Sequence, residues 1–266
     1  MIHSEGQKIL ETPKMIRVSV GSAIVLNLIR GRLDAPPTTA YLLTYRSGKC
    51  SANCGFCPQA KTSKSRADML SRVTWPPFPT EQVLFGIEDS VKKRAIKRVC
   101  IQALNYPTVL EDILNLLDAI RLRVTVPISV SCQPLQPKEM EKLVKAGVDR
   151  IGIPLDAATR ELFDKIKGPL AGGPYLWEEH WGALREAVQI FGRGRVSTHL
   201  IVGLGETEKG MVETIQRCVD SGVYPGLFAF TPIQGTVLEN QPQPSLSQYR
   251  RLQLAHHLMT KGLVRC

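Results

Sequence analysis

The sequence predicts an α/β fold: a partial, open-sided (β/α)6 barrel of the TIM type with parallel strands. Six short apolar runs, rich in Val and Ile, alternate with segments of helical spacing. Buried parallel strands have this composition, and the helices between them cover the faces of the sheet. Because a closed barrel of this type needs eight such units, we expect six units to leave one side open.

The apolar runs and the amphipathic segments give the order of the predicted elements. In the predicted helix 109–121, apolar residues recur every three or four positions from Leu110 to Ile120, as on one buried helix face. We divide the chain into an N-terminal extension with a short helix (1–36), a barrel core (37–244), and a C-terminal helix and tail (245–266). The predicted strands are 40–44, 98–103, 127–132, 150–155, 195–202 and 226–231, and the predicted helices are 15–31, 80–93, 109–121, 137–146, 177–190, 209–221 and 245–261.

The composition limits the classes of function. Lys and Arg number 34 against 24 Asp and Glu, a net charge of +10 that favours anionic partners, although a thinly spread positive surface explains it equally well. No dense basic block with interleaved aromatic residues suggests nucleic-acid binding. No run of about 18 apolar residues predicts a membrane span. Since the N-terminus lacks a signal pattern, the expected location is the cytoplasm.

Three of the seven cysteines crowd into the segment CSANCGFCPQ. Cys50, Cys54 and Cys57 have the spacing C-x3-C-x2-C, and thiolates suit iron–sulfur clusters and zinc. Three ligands on one loop can hold three irons of a [4Fe–4S] cube and leave the fourth iron open. A structural zinc site needs four ligands, and no nearby Cys or His completes one. The spacing therefore favours a cluster at the carboxyl end of the first predicted barrel strand, where barrel enzymes place their active sites.

The same segment, with Phe56 before the third cysteine, resembles the motif of the radical S-adenosylmethionine (SAM) superfamily. Its Cys-Pro-Gln resembles the biotin-synthase-like group, and IVGLGET at 201–207 resembles a glycine-rich segment of these enzymes. The resemblance covers about residues 40–240. It implies that reduction of the cluster splits SAM into methionine and a 5′-deoxyadenosyl radical, which removes hydrogen from an unactivated carbon.

The resemblance also implies residues that contact SAM. Phe56 would lie against the adenine, and Val202 with the glycine turn after it would support the other side. Asp156 would contact the ribose or the substrate, with a helix-capping carboxylate as the alternative. The candidate cofactor-binding residues are Phe56, Gln102, Asp156, Val202, Gly203 and Gly205.

Two further cysteines lie on predicted strands. If the faces that carry Cys100 and Cys132 both look into the barrel, the two thiols resemble cysteines with which biotin synthase holds an auxiliary, sulfur-donating iron–sulfur cluster. The alternative is that both are small core residues, because free cysteine is often buried. Cys266 is a speculative third ligand of that cluster if the tail folds over the barrel mouth; it could equally be an exposed end.

The chain departs from biotin synthase at two positions. Ser197 stands where that family has its third auxiliary-cluster cysteine, and Pro154 stands where it has an asparagine. A hydroxyl is a poor ligand for an iron–sulfur cluster. His199, two residues after Ser197, is a candidate substrate contact or replacement ligand, and a satisfied core histidine is the alternative.

Among relatives, the chain resembles the archaeal two-component lipoyl synthases of the biotin-synthase-like group. This implies sulfur insertion into C–H bonds of an octanoyl chain. The implied partners are an acidic lipoyl carrier protein, a second radical SAM subunit, and an electron donor such as ferredoxin or flavodoxin. The alternatives are biotin synthesis, a radical rearrangement or cofactor-maturation reaction without sulfur donation, and a non-catalytic iron–sulfur or zinc protein.

Overall fold

The computed structural model describes residues 12–266, in which strands and helices alternate for most of the length. A 3-10 turn, Pro169–Ala171, lies between the fifth and sixth helices. The strands are β1 (Met15–Val18), β2 (Thr39–Thr44), β3 (Met69–Leu70), β4 (Val73–Thr74), β5 (Pro77–Pro79), β6 (Arg98–Gln102), β7 (Ile128–Ser131), β8 (Val148–Gly152), β9 (Val196–Val202) and β10 (Tyr224–Ala229). The helices are α1 (Val20–Val25), α2 (Thr80–Lys92), α3 (Val109–Arg121), α4 (Pro137–Lys145), α5 (Arg160–Ile166), α6 (Trp177–Phe191), α7 (Glu208–Asp220) and α8 (Leu246–Thr260).

The predicted α/β fold is confirmed. The strands of the main sheet follow the order β10-β9-β8-β7-β6-β2-β1-β5, and the six strands from β10 to β2 run parallel. Helix α3 occupies the predicted residues because its apolar positions Ile113, Leu117 and Ile120 are all buried on one face. Acidic Glu111 at its start and basic Arg121 at its end agree with the helix dipole.

The N-terminal extension differs from its prediction. A short helix was expected on the IVLNLI run (24–29) of the segment 15–31, but Met15–Val18 of that segment form β1, which pairs antiparallel with β2. Ile16 and Val18 are buried and have a strand's period of two. Ser19 then caps α1, its side chain accepting a hydrogen bond from the amide of Ser22. The predicted helix is therefore limited to six residues.

Helix α5 is an element that the sequence did not predict. It begins after Thr159, whose hydroxyl accepts a hydrogen bond from the amide of Leu162 at 3.2 Å. Only seven residues long, it buries Phe163 and Ile166. So short a segment gives little helical periodicity. Its carboxyl end nevertheless reaches the loop that carries Cys50, Cys54 and Cys57, which we call the cysteine loop.

The sheet does not close on itself within the described residues. At one edge lies β10, paired with β9, and at the other lies β5, paired antiparallel with β1. The amide of Val18 donates to the carbonyl of Pro76, and the amide of Thr80 donates to the carbonyl of Lys14. Positions 77 and 79, between these bonds, are both proline.

Register decides which side chains face the inside of the barrel. On β6 and β7, Val99 is paired with Ile128, and both side chains are fully buried in the core beneath the helices. Cys100 is paired with Ser129 and lies on the opposite face, which we call the inner face. Farther along the inner face, Gly152 lies between Ser131 and Ser197; the serine hydroxyls would stand 3.3 and 3.2 Å from a β-carbon at this glycine.

Candidate active site

The three clustered cysteines lie on the loop that follows β2, at the carboxyl end of the parallel strands. A tight turn brings the second and third together, with the amide of Cys57 donating to the carbonyl of Cys54 at 3.0 Å. The Sγ of Cys50 accepts hydrogen bonds from the backbone amides of Asn105, at 3.1 Å, and Ala52, at 3.5 Å. Backbone amides directed at a sulfur are typical of the surroundings of iron–sulfur clusters.

Neighbouring segments fix this loop from two sides. The amide of Gly55 donates to the carbonyl of Ile166, the last residue of α5, at 2.7 Å. The carbonyl of Gly55 accepts from the amide of Leu238 at 3.0 Å, and the amide of Ser51 donates to the carbonyl of Asn105 at 2.8 Å. The loop is therefore held in place by backbone contacts with three separate parts of the chain.

Burial shapes the acid–base properties of the thiols. Removal from water raises the pKa of Cys54 well above its usual value and raises that of Cys57 to about 12. The positive charge of Lys167 opposes this increase at both residues. A buried thiol with so high a pKa ionises only when a cation compensates its charge, as a bound metal does.

The loop fits an iron–sulfur cluster better than a single ion. Among residues 12–266, no three Cys, His, Asp or Glu side chains converge on one metal-ion position. In a cubane, by contrast, each thiolate binds a different iron, so the ligands need not converge on one point. The chemistry of the donors, three soft sulfurs with backbone amides directed at one of them, fits the predicted [4Fe–4S] cluster.

Asp156 forms a buried ion pair beside this loop. Its carboxylate accepts from the Nζ of Lys167 at 2.6 Å, and the two side chains are 9% and 4% exposed. Lys167 also donates to the carbonyl of Pro154 and lies 5.3 Å from the ring centre of Tyr175. Asp156 has a backbone φ of +66°, a strained value for a residue other than glycine. Sequence reasoning singled out Asp156 but missed Lys167, which is distant from every motif.

The glycine-rich segment after β9 has the conformation that its glycines permit. Gly203 and Gly205 have φ values of +101° and +120°. A β-carbon at Gly203 would stand 2.6 Å from the ring of Pro244, so no larger residue fits there. The carboxylate of Glu206 accepts from the amides of Gly203 and Leu204 at 2.7 and 3.0 Å. Glu206 is a second residue that the sequence analysis missed.

Two of the predicted cofactor contacts, Phe56 and Val202, lie on different elements, and their side chains differ in exposure. Phe56 is partly exposed on the cysteine loop and packs against the core, in a position from which it can line a site. Val202 is fully buried and alternates with inner-face residues, so its side chain points toward the helices. The Val202 side chain therefore points away from the inner face, and the expected support of the adenine by Val202 stays a prediction that rests on its backbone. Ile201, partly exposed, is its inner-face neighbour.

The structure contradicts a shared cluster on Cys100 and Cys132. Cys100 lies on the inner face with Gln102, paired with Ser129. Cys132 lies three residues after Ser129, and because side chains alternate along a strand it points to the opposite face. Its side chain is 2% exposed, in the core beneath the helices. The two thiols therefore lie on opposite faces of the sheet. Burial raises the pKa of Cys132 to about 12, as expected of a core thiol.

The remaining cysteines lie away from the cysteine loop. Cys218 is buried in α7. The exposed Cys266 donates its amide to the side chain of Gln216 at 3.2 Å, and Arg265 pairs with Asp220. These contacts hold the tail against the carboxyl end of α7, at the opposite end of the strands from the cysteine loop. Of the two alternatives for Cys266, the structure shows the exposed end and not a place over the barrel mouth.

The inner face near the site carries one imidazole and several small side chains. His199 lies on the inner face, with its ring 5.0 Å from that of Phe228, and desolvation lowers its pKa. Beside the cysteine loop there is also a cavity of about 450 Å³, whose lining includes Asn105 and Tyr175. The side chain of Asn105 donates to the hydroxyl of Tyr175 at 3.0 Å. These contacts join the end of β6 to the segment before α6.

Comparison with known proteins supplies the family context. The model of the radical SAM superfamily matches residues 44–218. Biotin synthase of Sulfurihydrogenibium sp. (strain YO3AOP1) is 26% identical over 247 residues, which is 88% of this chain and 69% of that protein. Biotin synthase of Aquifex aeolicus (strain VF5) is 26% identical over 207 residues, or 76% of this chain and 58% of that protein.

Solved structures share the fold at low identity. Methylornithine synthase superposes with a TM-score of 0.65 at 16% identity, covering 84% of this chain and 62% of that chain. The FeFe-hydrogenase maturase HydG from Carboxydothermus hydrogenoformans gives a TM-score of 0.60 at 15% identity, covering 84% and 52%. The chain thus spans between 52% and 69% of the length of these four proteins. No described helix is long and apolar enough to cross a membrane.

Proposed function

Because the chain belongs to the radical SAM superfamily, whose cofactors are a [4Fe–4S] cluster and SAM, we propose that Cys50, Cys54 and Cys57 hold that cluster for radical chemistry on an unactivated C–H bond. The observation that carries the proposal is the single braced loop that presents all three thiols at the carboxyl end of the strands. The cluster, when bound and reduced, supplies the electron that splits SAM into methionine and a 5′-deoxyadenosyl radical.

The protein's own residues prepare the site for an anionic cluster. The amides of Asn105 and Ala52 donate hydrogen bonds to the Sγ of Cys50 and orient it. Lys167 places a positive charge near Cys54 and Cys57, where burial alone would keep the thiols protonated. Phe56 and Ile201 offer apolar surfaces for the adenine, one from the cysteine loop and one from the inner face.

The proposed reaction is sulfur insertion into an octanoyl chain on an acidic carrier protein, as in lipoyl synthases. Similarity to biotin synthases, whose reaction also inserts sulfur, supports this class, and the net charge of +10 agrees with an acidic carrier. Biotin synthesis is supported about equally by the same similarity. A second radical SAM subunit, a ferredoxin or flavodoxin donor and a cytoplasmic location belong to the same proposal.

One observation favours a reaction without sulfur donation as the second candidate. Of the two strand cysteines, only Cys100 lies on the inner face, where it is paired with Ser129; the hydroxyls of Ser131 and Ser197 lie farther along that face. One thiol among hydroxyls is a poor ligand set for a sulfur-donating cluster.

Iron analysis after anaerobic reconstitution separates these candidates. One cluster corresponds to about four irons per chain, and a second cluster raises this to about six to eight. If a second cluster uses Cys100, then Cys100→Ala lowers the count to about four, whereas the matched variant Cys132→Ala, on the opposite face, leaves it unchanged. About four irons in all three proteins would favour the reaction without sulfur donation.

Product analysis tests the substrate. Wild-type protein is incubated with SAM, dithionite and an octanoylated lipoyl carrier domain, with dethiobiotin in a parallel reaction. The proposal predicts 5′-deoxyadenosine together with sulfur added to the octanoyl chain, detected by mass spectrometry. Formation of 5′-deoxyadenosine without sulfur in either substrate would contradict sulfur insertion, and no SAM cleavage at all would contradict the proposed function.

A further inference from the structure

Half of the chain's net charge lies around the cysteine loop. Residues 45–72 contain six Lys or Arg and a single acidic residue, Asp68, a net charge of +5 out of +10 for the whole chain. We call the six cations the basic rim. They are Arg46, Lys49, Lys61, Lys64, Arg66 and Arg72.

Part of the basic rim stabilises the loop itself. The Nζ of Lys49 donates to the carbonyls of Pro58 and Ser65, each at 2.7 Å. Arg66 pairs with Asp68 at 2.6 Å. The guanidinium of Arg46 lies 5.6 Å from the ring centre of Tyr106. These groups have a structural role, and the charge of Arg66 is compensated by Asp68.

The other three cations are exposed and form no ion pair within residues 12–266. They are Lys61, Lys64 and Arg72. The amide of Lys61 donates to the carbonyl of Ala52, at 2.8 Å, between the first two cysteines. The amide of Lys64 donates to the carbonyl of Gly235, also at 2.8 Å. The carboxylate of Glu239 lies close to this contact, because it accepts a hydrogen bond from the amide of Gly235. Free positive charge therefore borders the cysteine loop directly.

We infer that the basic rim is the docking surface for an acidic one-electron donor protein of the flavodoxin class. The inference rests on the proposed function, because reductive cleavage of SAM requires one electron. In that step the flavin hydroquinone of the donor loses one electron and becomes a semiquinone, and the cluster gains that electron. Electron transfer weakens steeply with distance, so the donor must approach the cysteine loop closely.

The location distinguishes an electron donor from a substrate carrier. A carrier has to deliver its acyl chain to the inner face of the barrel. The donor needs only proximity to the loop that holds the thiols. Charge complementarity between a basic rim and an acidic flavodoxin would steer their encounter, and salt would weaken it.

The test compares two charge reversals of equal size. Lys61→Glu with Lys64→Glu alters the basic rim. The control, Lys97→Glu with Lys145→Glu, alters two exposed lysines at the other end of the strands, before β6 and at the end of α4. Neither control lysine forms an ion pair within the described part of the chain. Iron content and thermal unfolding confirm that each variant is folded, and the neutral pair Lys61→Gln with Lys64→Gln replaces the reversal if it is not.

Binding of oxidised flavodoxin is the first measurement, because it does not depend on activity. We expect the rim reversal to raise the Kd about tenfold or more at low salt, and the control to change it by less than about threefold. The difference should shrink in about 0.5 M salt. Oxidation of flavodoxin hydroquinone, followed by stopped flow, should slow in parallel.

Dithionite separates this inference from the proposed function. SAM cleavage driven by dithionite should be equal in the rim variant and the wild type, because a small reductant needs no docking surface. Unchanged flavodoxin affinity in the rim variant, or equal losses in both variants, would overturn the inference. So would loss of carrier-domain binding with flavodoxin binding intact, which would assign the rim to the carrier. Failure of dithionite in the wild type would overturn the proposed function instead.

Discussion

The cysteines of the loop and the cysteines of the strands follow different rules. Cys50, Cys54 and Cys57 lie within eight residues, and backbone contacts hold them on one braced loop. Cys100 and Cys132 lie on neighbouring strands, yet they occupy opposite faces of the sheet. Close spacing on a loop is enough to predict proximity, whereas on strands a single step of register reverses the direction of a side chain.

The strongest test of this comparison removes a loop thiol. Cys54→Ala should lower reconstituted iron from about four per chain to nearly zero and abolish SAM cleavage, because two thiolates cannot hold a cubane. Iron and sulfide analysis measures the effect. Cys218→Ala, in the core of α7, is the matched control and should retain the iron. A Cys54→Ala protein with full iron content would show that the cluster lies elsewhere.

The next largest effect concerns the ion pair beside the loop. Lys167→Met leaves the carboxylate of Asp156 buried without its partner, and this should lower the free energy of unfolding by about 3–5 kcal/mol. Urea unfolding measures it. Lys165→Met breaks an exposed pair with Glu161 and should leave the urea-unfolding midpoint nearly unchanged. Equal effects of the two variants would contradict a buried, structural pair.

A smaller effect is expected for Cys132, the thiol buried on the outer face of the sheet, and it concerns the pH dependence of stability. The folded-state pKa of Cys132, about 12, lies above its unfolded value of about 9, so the stability it contributes is complete below pH 9 and is lost toward pH 12. Between pH 8 and pH 10, wild-type protein without metal should lose about 1.4 kcal/mol more stability than Cys132→Ala.

Urea unfolding at the two pH values tests this prediction. Cys266→Ala, which removes an exposed thiol, serves as the control and should behave as the wild type does. The same pH dependence in Cys132→Ala and in the wild type would place Cys132 in contact with water.

The smallest effect is expected for Asn105, which connects the strand of Cys100 with the cysteine loop. Asn105 follows the strand of Cys100 and touches the cysteine loop, and its side chain donates to Tyr175. Asn105→Ala should cost about 1 kcal/mol of stability while leaving the iron content unchanged, because the bond to the Sγ of Cys50 comes from the backbone amide. Tyr175→Phe, which removes the same bond from its other end, should give a similar loss. A loss of iron in Asn105→Ala would show that the side chain also positions the loop.

Much of the fold was predictable because it rests on local periodicity. All six predicted barrel strands and the helices after 80 exist, with ends shifted by a few residues at most. Strand β1 was missed because apolar residues in a short segment fit either period, and tertiary pairing with β2 decided the outcome.

The site was predictable only in part, for a related reason. The loop cysteines and Asp156 stand in motifs, whereas Lys167 reaches Asp156 through α5, whose path no motif records. The faces of Cys100 and Cys132 depend on inter-strand register, and the place of Cys266 depends on how the tail packs on α7. Residue spacing along the sequence does not determine inter-strand register or the packing of the tail.

The two prolines of β5 limit strand pairing at one edge of the sheet. Backbone groups at positions 76 and 80 bond toward β1, so by alternation the amides at 77 and 79 would face outward. Proline has no amide hydrogen, and this stretch of the edge therefore offers no donor to an incoming strand. A further strand would therefore pair poorly there, which disfavours both closure of the barrel and templated aggregation at this edge.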